Sequence, residues 1–120
     1  MTGGCGNLGL VVARALLEHG ASGVSLWDVH PESGDLAIQE LIASFPCAKV
    51  VIKAVDVTDG QCVREAVAQT TSELGSVDIL LCFAGVVACT HALELCLNEW
   101  KRTLDINTTG SWLCAQAVAK

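Results

Sequence analysis

Thr2-Gly3-Gly4-Cys5-Gly6-Asn7-Leu8-Gly9 places four glycines in eight residues and runs straight into an apolar helical pattern. Residues this small let a backbone close around a phosphate group. The unpaired N–H groups of a starting helix then point at its charge. Asp28 stands 19 positions beyond Gly9, at the end of a short apolar run. A carboxylate there can accept both hydroxyls of an adenosine ribose, and it would repel a 2′-phosphate. No Arg or Lys flanks Asp28 or enters the glycine loop, where a 2′-phosphate would want one. The loop, the helix behind it and the spacing to Asp28 agree on a dinucleotide site that favours NAD, with NADP as the alternative. The plain uses of the same residues are an ordinary glycine turn and a strand-end carboxylate.

The elements that must position these residues alternate between helix and strand. Leu8, Val12, Ala15, Leu16 and His19 share one face of a first helix, which Gly20 stops. Val24 to Asp28 reads as a strand. Leu36 to Phe45 reads as a helix, with Ile38, Leu41, Ile42 and Phe45 on one face and Pro46 ending it. Val50 to Val55 is a second strand. Thr58-Asp59-Gly60-Gln61 has the form of a capping box ahead of a helix that turns Val63, Ala66, Val67, Thr70 and Leu74 inward and closes at Gly75. Val77 to Phe83 is apolar almost throughout, as a strand covered on both faces should be. A loop follows from about Gly85. Asn98 is placed to cap a last helix through Trp100, Leu104, Cys114 and Val118. This alternation predicts an α/β fold of Rossmann type, a doubly wound parallel sheet forming one incomplete domain over residues 1–120.

Composition narrows the partners. Apolar residues make up 52% of the 120, ample for a core, and the net charge is −6. An acidic surface disfavours nucleic acid and anionic membranes. The apolar runs are too short to span a bilayer, and the first residues lack the form of a signal peptide. The seven cysteines are odd in number and contain no C-x-x-C pair, which suits a reduced cytoplasmic protein using Cys as a small hydrophobe. Cys89, His91 and Cys96 fit no common zinc spacing, so no metal site is expected. His19 and His30 stand in no constellation.

The glycine loop, Asp28, Asp56-Val57, Ala84-Gly85 and Asp105-Ile106-Asn107-Thr108-Thr109-Gly110 occur in the order seen in the short-chain dehydrogenase/reductase family. The chain resembles that family along essentially all its length. The resemblance implies that Gly3, Gly6 and Gly9, with Asn7 and Leu8 in the same turn, lie at the pyrophosphate. It implies Asp28 on the ribose, Asp56 on the adenine amino group and Val57 beside the ring. Ala84 and Gly85 would leave room for the cofactor. Asn107 would help hold a water leading to a catalytic lysine. Read from the residues alone, Asn107 lies on the apolar helix face with Trp100 and Leu104. There it needs partners, and a neighbouring carbonyl would serve as well. Asp56 read alone could equally be a solvated carboxylate before a helix cap.

Two positions depart from the short branch of the family. Its usual T-G-x-x-x-G-x-G would put glycine at position 7, where Asn7 stands. The loop here fits T-G-x-x-G-x-x-G, the spacing of the extended branch, which includes sugar-nucleotide epimerases and dehydratases. Cys82-Phe83 replaces two asparagines that brace the sheet in the short branch. The family's reaction is hydride transfer between a nicotinamide and a carbonyl or alcohol carbon, using a tyrosine, a lysine and a serine. The chain has no tyrosine. The resemblance therefore leads us to expect a preceding strand and a following catalytic half. The 120 residues alone would then be poorly stable and inactive. The parent is expected to act on a small molecule, a sugar or polyol, and to form dimers or tetramers. Trp100 and Trp112 could serve a subunit contact or the core. A non-catalytic dinucleotide-binding module is the alternative from another class.

Overall fold

The computed structural model describes residues 1–120. Helix α1 (Asn7–Glu18) leads to strand β1 (Gly23–Asp28), a short 3-10 turn at Pro31–Gly34 and helix α2 (Asp35–Ser44). Strand β2 (Lys49–Ala54) and helix α3 (Gly60–Leu74) follow. Helix α4 (Leu97–Leu104) continues through a π-helical stretch, Asp105–Gly110, into α5 (Ser111–Val118). The two strands run parallel, with Gly23 opposite Lys49 and Asp28 opposite Ala54.

Met1 and Thr2 extend this sheet on its other edge. Thr2 bridges in parallel to both Trp27 and Cys82. Its N–H donates to Leu81 O at 2.9 Å, and its carbonyl accepts from Phe83 N at 3.1 Å. Trp27 N donates to Met1 O at 2.9 Å and Gly4 N to Trp27 O at 3.0 Å. The order across the sheet is therefore β2, β1, Met1–Thr2, then Leu81–Phe83. Residues 77–81 are extended in pattern but form no strand, contrary to the sequence reading. A strand is defined by its ladder, and only Met1 and Thr2 stand beside this segment.

Each face of the sheet carries its own core. Val24 and Leu26 turn to Ala13, Leu17, Ile38 and Leu41 from α1 and α2, with Cys5. Trp27, Val55 and Val57 turn to Val63 and Ala66 of α3 and Cys114 of α5. Helices on both faces of a parallel sheet make this a partial doubly wound α/β fold. Under the sheet, the Trp27 indole N–H donates to Ser25 Oγ at 2.9 Å and Thr70 Oγ1 at 3.2 Å, so no buried polar side chain is left unpaired.

Several local expectations shift. The buried positions of α1 are Gly9, Ala13 and Leu17, while Leu8 is 71% exposed. Leu8 lies in the first turn at the open end of the helix, where no packing partner exists. Helix α3 starts on Asp59, whose Oδ1 accepts from Gln61 N at 2.8 Å and Cys62 N at 3.2 Å. Thr58 is not the cap because its hydroxyl donates to Asp56 at 2.7 Å. Cys96, not Asn98, precedes α4. Of the seven cysteines only Cys5 and Cys114 are buried.

Close approach demands glycine at positions 3 and 9 of the turn, among others. Gly3 has φ +60°, and a Cβ there would meet the Ala84 nitrogen at 2.8 Å. A Cβ on Gly9 would lie 2.5 Å from Gly3 O and 2.7 Å from Gly4 Cα. Gly9→Ala should therefore lower unfolding stability by about 3 kcal/mol, because backbone must move to admit the methyl. Gly6→Ala, whose Cβ would meet only Gly3 O at 3.4 Å, should cost about 1 kcal/mol or less. Paired urea melts of the two variants check the contrast.

Candidate cofactor site

The glycine turn opens where β1 ends and α1 begins. Gly6 is the N-cap of α1 and no side chain caps it. Leu10 N is the first amide to find a carbonyl in the helix, that of Gly6 at 3.0 Å. The amides of Asn7, Leu8 and Gly9 are thus the free donors of the helix start. Gly6, Asn7 and Leu8 are exposed, whereas Gly4, Cys5 and Gly9 are buried beneath them. Gly9 therefore brings the helix close to the turn rather than lining its surface.

Asp28 faces this turn. Its Oδ2 accepts from Cys5 N at 3.3 Å and its Oδ1 from His30 N at 3.1 Å. Two backbone donors fix the carboxylate between the loop and the strand end, leaving lone pairs for further donors. The cost falls on the neighbour. Burial and then the Asp28 charge push the Cys5 thiol up to about 11, so it stays protonated and acts as packing.

From Asp28 a cleft of about 1050 Å3 runs past Gly3 and Gly6, along Asp56, Val57 and Thr58, to Ala84, Gly85 and Val86. Seven residues singled out in the sequence line it: Gly3, Gly6, Asp28, Asp56, Val57, Ala84 and Gly85. Asn7, Leu8, Gly9 and Asn107 are not on its wall. The far wall comes from α4 and the π-helical stretch, with Lys101 and Arg102, which the sequence did not single out, and Asp105 and Ile106. Asp105 and Ile106 belong to the Asp105–Gly110 motif, but Lys101 and Arg102 carry no motif of their own, and only the return of α4 across the strand ends puts them there.

Asp56 is exposed and accepts from the Thr58 hydroxyl at 2.7 Å and Thr58 N at 2.9 Å, both on Oδ1. The hydroxyl bond first, and the amide bond second, hold its pKa below the ordinary carboxylate value. Oδ2 is left to accept from another donor. Val57 beside it is buried and packs on Gly110, where a Cβ would meet the Val57 side chain at 2.6 Å.

Asn107 differs from the sequence reading. It is exposed, not buried on an apolar face. The Trp100–Leu104 stripe to which the sequence assigns it is itself open, at 52% and 42% exposure, so that face offers no core to bury it. Its Oδ1 accepts from Val86 N at 2.8 Å and its Nδ2 donates to Val86 O at 2.9 Å. The side chain thus pairs with one residue of the loop as a strand neighbour would. On the other wall, Ala84 N donates to Thr2 Oγ1 at 3.2 Å. The segment Ala84–Val86 is held from both ends. Trp100 and Trp112 are 52% and 58% exposed, so neither belongs to the core. No helix is long and apolar enough to cross a membrane.

The chain matches, over residues 1–120, the protein family described as short chain dehydrogenase. It is 34% identical over 120 residues to a 3alpha-hydroxysteroid dehydrogenase of Mediterraneibacter gnavus, covering 100% of this chain and 48% of that protein. It is 35% identical over 119 residues to a 2-dehydro-3-deoxy-L-rhamnonate dehydrogenase (NAD(+)) of Sphingomonas sp., covering 98% of this chain and 45% of the relative. The crystal structure of a short-chain type dehydrogenase/reductase from Mycobacterium marinum superposes with a TM-score of 0.90 at 36% identity, covering 98% of this chain and 47% of that one. The chain spans just under half the length of these relatives.

Thr58→Val removes the hydroxyl donor to Asp56 and keeps the shape. The Asp56 pKa, read by carbon-detected NMR titration, should rise toward the ordinary carboxylate value. The sign for stability follows. With its pKa depressed in the fold, Asp56 adds stability above its unfolded pKa and loses it as the pH falls through the lower folded value. Acid unfolding of Thr58→Val should show a smaller loss across that window than the parent chain.

Proposed function

Since the chain belongs to the short-chain dehydrogenase family, we propose that it forms the NAD-binding part of an oxidoreductase acting on a carbonyl or alcohol carbon. The observation that carries this reading is Asp28, whose carboxylate is tied by Cys5 N–H to the same turn that offers the α1 amides. A diphosphate over Asn7, Leu8 and Gly9 would satisfy donors that the helix cannot. The ribose hydroxyls would donate to Asp28. The adenine amino group would donate to Asp56 Oδ2, against Val57. The rest of the cofactor would lie along Ala84 and Gly85.

Bound nicotinamide supplies the hydride acceptor or donor. This chain's residues bind and orient it. With no tyrosine in the chain, the proton transfer of the reaction falls to groups outside these 120 residues. The resemblance gave Asn107 a place on a water chain. Because Val86 engages both ends of its amide, we assign it as a positioning residue that fixes the loop behind the cofactor.

NAD is favoured over NADP because the fixed charge of Asp28 sits where a 2′-phosphate would lie. The cations of the cleft, Lys101 and Arg102, are on α4 and not on the strand end. The rhamnonate relative bears NAD(+) in its name, and that name also supports a sugar-like substrate. The exposed Trp100 and Trp112 support a homo-oligomeric parent. A cytoplasmic place rests on cysteines without a pairing pattern. The relatives described are dehydrogenases, and none of them supports the epimerase or the non-catalytic reading, for which only the glycine spacing and the missing tyrosine speak.

Asp28→Asn keeps the shape and one acceptor and removes the charge. Isothermal titration should show NAD affinity of the chain falling about tenfold, as expected for weakening charged hydrogen bonds. NADP affinity should hold or rise. Equal affinities for both dinucleotides before and after substitution would remove Asp28 from the site.

A further inference from the structure

The acid at the end of β1 has a titratable neighbour. His30 lines the cleft beside Asp28 and Val29, and its backbone N–H donates to Asp28 Oδ1 at 3.1 Å. The bond that orders the carboxylate therefore also carries the imidazole to the strand end. Nδ1 of the ring lies 3.3 Å from Glu32 Oε1, in the 3-10 turn that follows β1. A carboxylate that close favours the proton on Nδ1. In the neutral ring Nε2 is then a bare acceptor, and in the imidazolium it becomes a donor. The side chain is 74% exposed, so it exchanges that proton with solvent.

The charges around His30 are acidic. Asp28 on β1, Asp35 at the start of α2 and Glu32 in the turn act together, for after burial all three raise the Cys5 thiol. Asp56 and Asp105, with Lys101 and Arg102 of α4, are the remaining charges of the cleft. The glycine turn holds no Lys or Arg, and neither does the chain from Gly20 to Ala48. His30 is thus the side chain of β1, the turn and α2 that can bring a positive charge to the strand end. A ribose with a free 2′-hydroxyl can donate to Asp28 whatever the state of His30. A 2′-phosphate brings about two negative charges and needs both a donor and an offsetting cation.

We propose that His30 is a specificity-determining residue whose proton sets how strongly NAD is preferred over NADP. Neutral His30 leaves Asp28 to repel the 2′-phosphate. Protonated His30 donates Nε2–H to that phosphate and offsets the acids around it, so NADP is admitted. The inference rests on the dinucleotide reading of the cleft.

The test is isothermal titration of the whole 120-residue chain with NAD and with NADP. It is run at about pH 8.5 and about pH 5.5, which bracket the range where histidine changes charge. The readout is the ratio of the NADP to the NAD dissociation constant, in which a loss of folded chain at either pH cancels. The 2′-phosphate takes up a proton of its own over the same range, and His30→Gln reports that contribution alone. On acidification the ratio should fall about fivefold further in the parent chain than in His30→Gln, the size of one exposed charge pair. His30→Lys, with its fixed charge, should already lower the ratio about fivefold at the alkaline pH. Equal pH dependence of the parent and His30→Gln would overturn the proposal. So would a ratio that His30→Lys leaves unchanged. A chain that binds NAD at neither pH would remove the dinucleotide reading, and this inference with it.

Discussion

Thr2 is bonded on both sides, and most of what surrounds the cleft follows from that. Its amide and carbonyl hold the Leu81–Phe83 segment, and its hydroxyl accepts from Ala84 N. Met1 and Gly4, its neighbours, bond to Trp27. A residue 1% exposed thus fixes three things at once. The glycine turn leaves the sheet at a set point, β1 delivers Asp28 beside it, and Ala84–Gly85 arrives on the far side. Backbone bonds hold the two flanking segments, and the single Thr2 hydroxyl adds the bond to Ala84 N.

The turn itself is a compromise between packing and openness. Gly4, Cys5 and Gly9 are buried so that backbone meets backbone, and Gly6, Asn7 and Leu8 stay in solvent with their helix-start amides unspent. Any side chain at Gly9 would push the helix off the turn. The carboxylate of Asp28 completes the turn by accepting an amide inside it. Geometry and charge are therefore coupled. The same acid that orders the loop defines the sign of the field at the strand end. Asp56 repeats the device further along, with Thr58 in place of the loop amide.

Much of this was legible from residue types. The order of helices and strands follows from apolar periodicity and from Gly20, Pro46 and Gly75 as stops. Seven residues that line the cleft were legible because small size, charge and spacing are local properties. The outcome at Asn107 was not. Its pattern reads as an amide on a buried face, and that face, with Trp100 and Leu104, is open in the structure. The face of α1 was misjudged because Leu8 is apolar yet sits at an open helix end. Residues 77–81 have the composition of a strand, but composition cannot supply the neighbour that a ladder requires.

By itself, the sequence determined the class of fold, the position of the glycine turn and the acid that ties to it. These depend on backbone freedom, periodicity and charge, all written residue by residue. Tertiary structure alone decided that Lys101 and Arg102 line the same cleft as Asp28 and that Asn107 spends its amide on Val86. Those arise where segments distant in the chain meet, and no local pattern encodes the distance between them.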